Sequence, residues 1–201
     1  VVAADSGLDR ARVLGLRVDH VVGDMDSVSP GALAAATAAG IAEHHPEAKD
    51  ATDLDLAVDA ALAARPRRLV VIGSGGGRLD HLLAMVSLLT SPRLAGVAVE
   101  AALGATRVVV VRSQSRLWAA PGELVSLLPV CGPAVGVTTS GLLYPLADDD
   151  LPAGSSRGVS NEVVEAPATV GLRAGLLVAV LPGEQGTHLG RGLGPARGSG
   201  T

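Results

Sequence analysis

The first half of the chain alternates between short apolar runs and stretches of helical spacing, and no other feature constrains the fold as tightly. Residues 1–4 read as a buried strand, after which Leu8, Ala11, Val13, Leu14 and Leu16 suggest a short amphipathic helix closed by Gly15. Residues 18–22 form the next apolar run. Ser29-Pro30 then has the form of an N-cap with proline at the first helical position, opening an Ala-rich helix that Gly40 stops. Residues 41–45 repeat the strand signal. Leu54, Ala57, Val58, Ala61 and Leu62 make the next apolar helical stripe, with Thr52 or Asp53 as its cap, and residues 69–72 with 79–89 give one more strand and helix. Strands alternating with helices pair in parallel with helices on the sheet faces, and ligands bind beyond the carboxyl ends of the strands.

The pattern changes from residue 97 onward. Runs 97–102, 108–111, 117–119, 124–128 and 134–138 are short, β-type and broken by Gly, Pro and Ser, and helical spacing does not return. The expected fold is α/β: a Rossmann-like parallel-sheet domain over residues 1–112, then an antiparallel β-sandwich or barrel over 113–182, closing with runs 169–172 and 176–181. The Gly- and Arg-rich stretch 183–201 reads as a disordered tail, and the chain opens so directly on a strand that a preceding segment is expected. Phe is absent and Trp and Tyr occur once each, so the core is aliphatic, with Trp118 expected inside the sandwich. Stacking on nucleic-acid bases is excluded as a main activity, and a net charge of −4 argues against a nucleic-acid or anionic-membrane surface. Cys131, the single cysteine, forms no internal disulfide, fits a reducing cytoplasm and reads as a small buried hydrophobe. No apolar run reaches the roughly 18 residues of a membrane span.

Each loop at a strand exit carries polar residues. Gly23-Asp24-Met25-Asp26-Ser27 follows the second strand, and two readings fit it: alternating carboxylates facing one Mg²⁺, or a polar turn whose aspartates bond their own backbone. Gly73-Ser74-Gly75-Gly76-Gly77-Arg78 is either a flexible turn or an anion cradle with a guanidinium beside it, and it matches neither a Walker A loop nor a clean dinucleotide fingerprint. In a parallel sheet these loops leave on one side, so Asp5, Asp24, Asp26, Asp50, Asp53, Asp80 and Arg78 converge. Carboxylates gathered on one rim repel unless a cation sits among them, and Mg²⁺ completes its shell with water and phosphate oxygens, which points to a nucleotide. His44 and His45 alternate across a strand and do not share a metal, Lys49 fits a solvated loop cation as well as a phosphate ligand, and Asp148 to Asp150 read as a solvated turn.

Four of these stretches, in order, resemble the thiamine pyrophosphokinases (thiamine diphosphokinases): Ala4-Asp5-Ser6-Gly7, Gly23-Asp24-Met25-Asp26-Ser27, Lys49-Asp50-Ala51-Thr52-Asp53 and Gly76-Gly77-Arg78-Leu79-Asp80-His81. A fifth is Gly154-Ser155-Ser156-Arg157-Gly158-Val159-Ser160-Asn161-Glu162, preceded by Gly141-Leu142-Leu143-Tyr144-Pro145-Leu146. The resemblance spans about residues 1–181. It implies an N-terminal ATP domain, a C-terminal β-domain that helps bind thiamine, and a cytoplasmic homodimer with sites between subunits. The implied reaction moves a diphosphoryl group from ATP to the thiamine hydroxyl, giving thiamine diphosphate and AMP. By motif, Asp24, Asp26 and Asp53 are the implied Mg²⁺ ligands and catalytic carboxylates, with Asp80 a further acid at the reacting centre. Asp5, Gly76, Gly77 and Arg78 are implied on the nucleotide, and Tyr144, Ser160 and Asn161 on thiamine. Two positions depart from the pattern: Ser6, where the family usually has Gly, and Met85, where it often has Asn. They are the sequence support for a second reading, a non-catalytic relative that binds nucleotide or thiamine as a sensor or scaffold. A diphosphokinase for another alcohol is a third.

Overall fold

The structure is a computed structural model that describes residues 1–46, 48 and 50–183. Lys49 and the tail from residue 184 therefore lie outside the described residues. Strand β1 (Val2–Ala4) leads through Asp5 into helix α1 (Gly7–Val13), then β2 (His20–Gly23), α2 (Pro30–Ala38) and β3 (Ala42–His44). These strands form a parallel sheet in the order β1-β2-β3. Its small core is built from Ala3, Leu8, Val21, Met25, Val28, Ala32 and Ala36, which is why the helices over it are Ala-rich: short side chains let a helix lie close to the strands. Leu8 and Ala11 of α1 face inward as expected. Val13, Leu14 and Leu16 do not, because the helix ends at Val13 and the last two lie beyond it.

Helix α3 (Asp53–Ala63) starts where Thr52 caps it, the Thr52 hydroxyl accepting the Asp55 N–H at 3.2 Å, with Asp53 and Asp55 in the favourable first turn. It packs on β1 and β2, and through Val58 it also joins the core beneath β4 (Arg68–Gly73), β5 (Ala98–Leu103) and helix α4 (Leu79–Thr90). Arg93, in the turn after α4, reaches back to Asp55 and Asp59 of α3 at 2.7 Å each, fastening the two layers together. At the other end of the β6 strand (Thr106–Val111), Arg112 donates to the Leu89 and Ser91 carbonyls and closes the C-terminus of α4.

The parallel pairing of β4 with β5 is as expected, but these strands belong to a sheet of another composition. The remaining strands are β7 (Gln114–Leu117), β8 (Leu124–Pro129), β9 (Ala134–Ser140), β10 (Asp149–Leu151), β11 (Asn161–Glu162), β12 (Ala168–Gly171) and β13 (Leu177–Leu181). A six-stranded sheet runs β11-β8-β13-β6-β5-β4, and a four-stranded sheet β10-β9-β12-β7 faces it. The two sheets enclose a sandwich core with Leu117, Val125, Leu127, Val137, Leu151, Val163, Val170 and Leu177 fully buried. One sheet therefore crosses from the α/β segment into the β-segment, its far face carrying α4 and α3 and its near face the sandwich.

Three local expectations are corrected here. Trp118 is 64% exposed: it follows the fully buried Leu117, and consecutive side chains at a strand end point to opposite faces. Cys131 is exposed in the turn after β8, held at φ 60°. Asp148 to Asp150 are not a loose turn, because Asp149 and Asp150 lie in β10, Asp150 accepts the Gly136 N–H at 2.9 Å, and Asp148 and Asp149 pair with Arg173 and Arg157.

Candidate active site

The loops after β1, β2, β4 and the start of α3 do meet. Carboxylate oxygens of Asp5, Asp24 and Asp53 all lie within 4.8 Å of one another. Gly23 makes this possible. Its φ is 147°, and a Cβ placed there would stand 3.1 Å from Asp53 Oδ1 and 3.2 Å from Asp5 Cβ, so a side chain would wedge the carboxylates apart. Asp5 (φ 45°) and Met25 (φ 66°) both occupy the left-handed region, a backbone cost of order 1–3 kcal/mol each that local packing must offset. Asp5 Oδ2 accepts a hydrogen bond from Ser27, while Oδ1 is buried with no hydrogen-bond partner among the described residues.

Of the carboxylates expected to converge, Asp26 is not in this trio. Its backbone N–H donates to Asp24 Oδ1 at 3.2 Å, so it orients Asp24. Asp50 is exposed and stands outside the trio as well. The parallel-sheet reading has Asp5 converging with Asp24 and Asp53, and the structure brings the three together. Ser27, the last residue of the Asp-x-Asp stretch, holds Asp5 there through its hydroxyl.

Beside the trio opens a cleft of about 490 Å³, bordered by Asp5, Ser6, Arg10, Thr52, Asp53, the 72–76 turn, Arg78 and the α4 residues His81 and Met85. This volume lies in the range of small-molecule sites. The glycine that the turn requires is Gly75, at φ 68°, where a Cβ would meet the Leu103 carbonyl oxygen at 2.4 Å. Gly76 borders the cleft, and Gly77 adopts φ 103° with open space around it. Arg78 is gripped by Asp80, its Nε and Nη2 donating to the two carboxylate oxygens at 3.1 and 2.5 Å. That bonding, with the His81 N–H at 3.0 Å, holds the Asp80 carboxyl down at about 2.

The departures from the family pattern are accommodated. Ser6 has φ −57° and sits just before α1, so no glycine is needed there; the left-handed residue is its neighbour Asp5. Met85 packs against the core under β4 and β5.

Tyr144, Ser160 and Asn161 are brought together in the β-segment, and none of the three is among the residues bordering the cleft. Asn161 is 6% exposed and its amide serves the backbone: Oδ1 accepts the N–H groups of Tyr144 and Glu162 at 3.0 and 2.9 Å, and Nδ2 donates to the Tyr144 carbonyl at 2.7 Å. The Tyr144 ring, thus fixed at its root, is 66% exposed. Ser160 stands at φ 58° with its N–H on the Ser126 hydroxyl.

Comparison with known proteins bears on both parts. Family models described as "Thiamin pyrophosphokinase, catalytic domain" and "Thiamin pyrophosphokinase, vitamin B1 binding domain" match residues 1–100 and 109–177. A thiamine pyrophosphokinase of Bacillus subtilis (strain 168) is 28% identical over 190 residues, covering 89% of this chain and 85% of that protein. The crystal structure of a thiamin pyrophosphokinase family protein from Enterococcus faecalis has a TM-score of 0.77 at 27% identity, over 92% of this chain and 88% of the other. Thiamin pyrophosphokinase from Candida albicans has the same fold, with a TM-score of 0.75 at 14% identity over 90% of this chain and 80% of that one. With the two domain models met in order along the sequence, and with Asp5 and Asp53 of the carboxylate trio bordering the same cleft as the glycine turn, the chain belongs to the thiamin pyrophosphokinase family.

Proposed function

We propose that this chain is an ATP:thiamine diphosphotransferase, and the observation that carries the reading furthest is a carboxylate trio of which Asp5 and Asp53 border one cleft with a glycine turn, in a member of this family. In the reaction the thiamine hydroxyl oxygen bonds to the β-phosphorus of ATP. The bond from that phosphorus to the oxygen bridging to the α-phosphorus breaks, AMP leaves with the electron pair, and the hydroxyl proton passes to a carboxylate. Such a transfer needs alignment and charge neutralisation more than covalent participation by the protein.

The trio fits a hard divalent cation, because like charges are held together and Asp5 Oδ1 is buried with no hydrogen-bond partner among the described residues. We assign Mg²⁺ to Asp5, Asp24 and Asp53, with Asp26 orienting Asp24. When bound, the ion neutralises phosphate charge. Asp80 is bound through both carboxylate oxygens to Arg78, so its part is to hold the guanidinium at the phosphate side. The 73–77 turn lets backbone approach the phosphates. Tyr144 offers a ring to stack on thiamine, with Ser160 beside it and Asn161 as its anchor. In keeping with the family resemblance, we assign a homodimer whose site is completed across subunits, with residues 1–112 supplying ATP contacts and 113–182 thiamine contacts. No helix among the described residues is long and apolar enough to cross a membrane. The free thiol of Cys131 fits a reducing cytoplasm, where we place the enzyme.

The test is AMP release from ATP and Mg²⁺ with and without thiamine, in the wild type and in Asp53→Ala. Thiamine-dependent AMP that disappears in the variant is the expected result; thiamine binding without AMP release returns the sensor reading.

A further inference from the structure

Helix α1 is fixed in rotation on two sides. Leu8 and Ala11 are buried beneath it, and Asp9 accepts both the backbone N–H and the hydroxyl of Ser29 at 2.8 and 2.5 Å. Arg10 is carried on the side that remains and borders the cleft with Asp5, the glycine turn and Arg78.

The two guanidiniums at this cleft differ. Nε and Nη2 of Arg78 are occupied by Asp80. The Arg10 guanidinium makes no hydrogen bond or ion pair among the described residues, and its planar set of donors is available. Asp5 Oδ1, also at the cleft, has no hydrogen-bond partner among those residues either, so Arg10 and Asp5 border one space without satisfying each other. A group filling that space must accept hydrogen bonds on one side and present a cation on the other. A phosphate chain carrying a divalent ion does both.

We propose that Arg10 is a binding residue for the polyphosphate of the nucleotide, its guanidinium fork gripping phosphate oxygens while the carboxylate trio holds the accompanying cation. The inference rests on the diphosphotransferase reading and adds the group that anchors the donor. Arginine suits this task because its donors match two phosphate oxygens at once, which an ammonium does not do.

The experiment is calorimetric titration of the full chain with α,β-methylene-ATP and Mg²⁺, and separately with AMP. It compares the wild type with Arg10→Ala, Arg10→Lys and, as a control on the same helix away from the cleft, Arg12→Ala. Arg10→Ala weakens the triphosphate analogue about tenfold or more, the scale of a charge-assisted hydrogen bond. Arg10→Lys falls between, AMP affinity changes far less, and Arg12→Ala matches the wild type. Wild-type affinity in Arg10→Ala overturns the proposal and leaves the enzyme reading standing, as does an equal loss for AMP. A folded wild type that binds no analogue overturns both.

Discussion

The carboxylate corner of the α/β segment and the Asn161 corner of the β-segment are both built from polar side chains, and they treat them in opposite ways. Around Asn161 both amide atoms have partners, and those partners are backbone groups of Tyr144 and Glu162. Around Asp5, like charges are drawn together, two left-handed residues are tolerated and a carboxylate oxygen is buried with no hydrogen-bond partner among the described residues. A satisfied buried amide is framework, since it only lowers the energy of the fold. An unsatisfied carboxylate costs stability, and it persists where a ligand supplies what the protein lacks.

That contrast can be broken at either end. The largest effect is expected at Asp24→Asn or Asp53→Ala, which lower the turnover of thiamine about 100-fold or more while leaving the melting temperature unchanged or raised, because carboxylate repulsion is relieved. Rate assays beside thermal melts check this; a variant that loses stability in step with activity would place the trio in the framework class. Next is Asn161→Ala, which strands the Tyr144 N–H and carbonyl and costs about 1–3 kcal/mol in urea unfolding. Arg93→Met sharpens the comparison by loosening α3, whose first turn carries Asp53, at a stability cost of about 1 kcal/mol or less for partly exposed pairs. The smallest effect is at low pH. Asp80 is depressed from 3.8 to about 2, so its pairing with Arg78 is fully present above pH 3.8 and is lost as pH falls through 2. A carboxyl ¹³C titration of Asp80 with a midpoint near the ordinary value would show that the fork does not form.

Much of the α/β segment was legible because its cores are periodic. Thr52 caps α3, Pro30 opens α2, and the strands fall within a residue or two of the apolar runs. Ser29 shows where local chemistry has a choice: it precedes the helix as expected, yet its hydroxyl bonds Asp9 of another helix and not its own first turn. Strands β10 and β11 escaped notice because Asp149, Asp150, Asn161 and Glu162 are polar and pair through backbone, and the passage of one sheet through both segments is a non-local fact carried by the β6–β13 and β5–β6 ladders. At the site, the convergence of Asp5, Asp24 and Asp53 was legible from the parallel-sheet pattern, because the β1–β2 register brings Asp5 beside the β2 exit. That Asp26 turns its backbone N–H to Asp24 and stands outside the trio was not, since two alternating carboxylates on one loop look alike in sequence.

The central claim is that Asp5, Asp24 and Asp53 form one cation site. Mn²⁺ uptake in the presence of α,β-methylene-ATP, followed by loss of the free-ion paramagnetic resonance signal, tests it in the wild type, Asp5→Asn and Asp26→Asn. The predicted result is tight uptake by the wild type, uptake weakened about tenfold or more in Asp5→Asn, and a smaller change in Asp26→Asn. Wild-type uptake by Asp5→Asn, with loss in Asp26→Asn, would contradict the account.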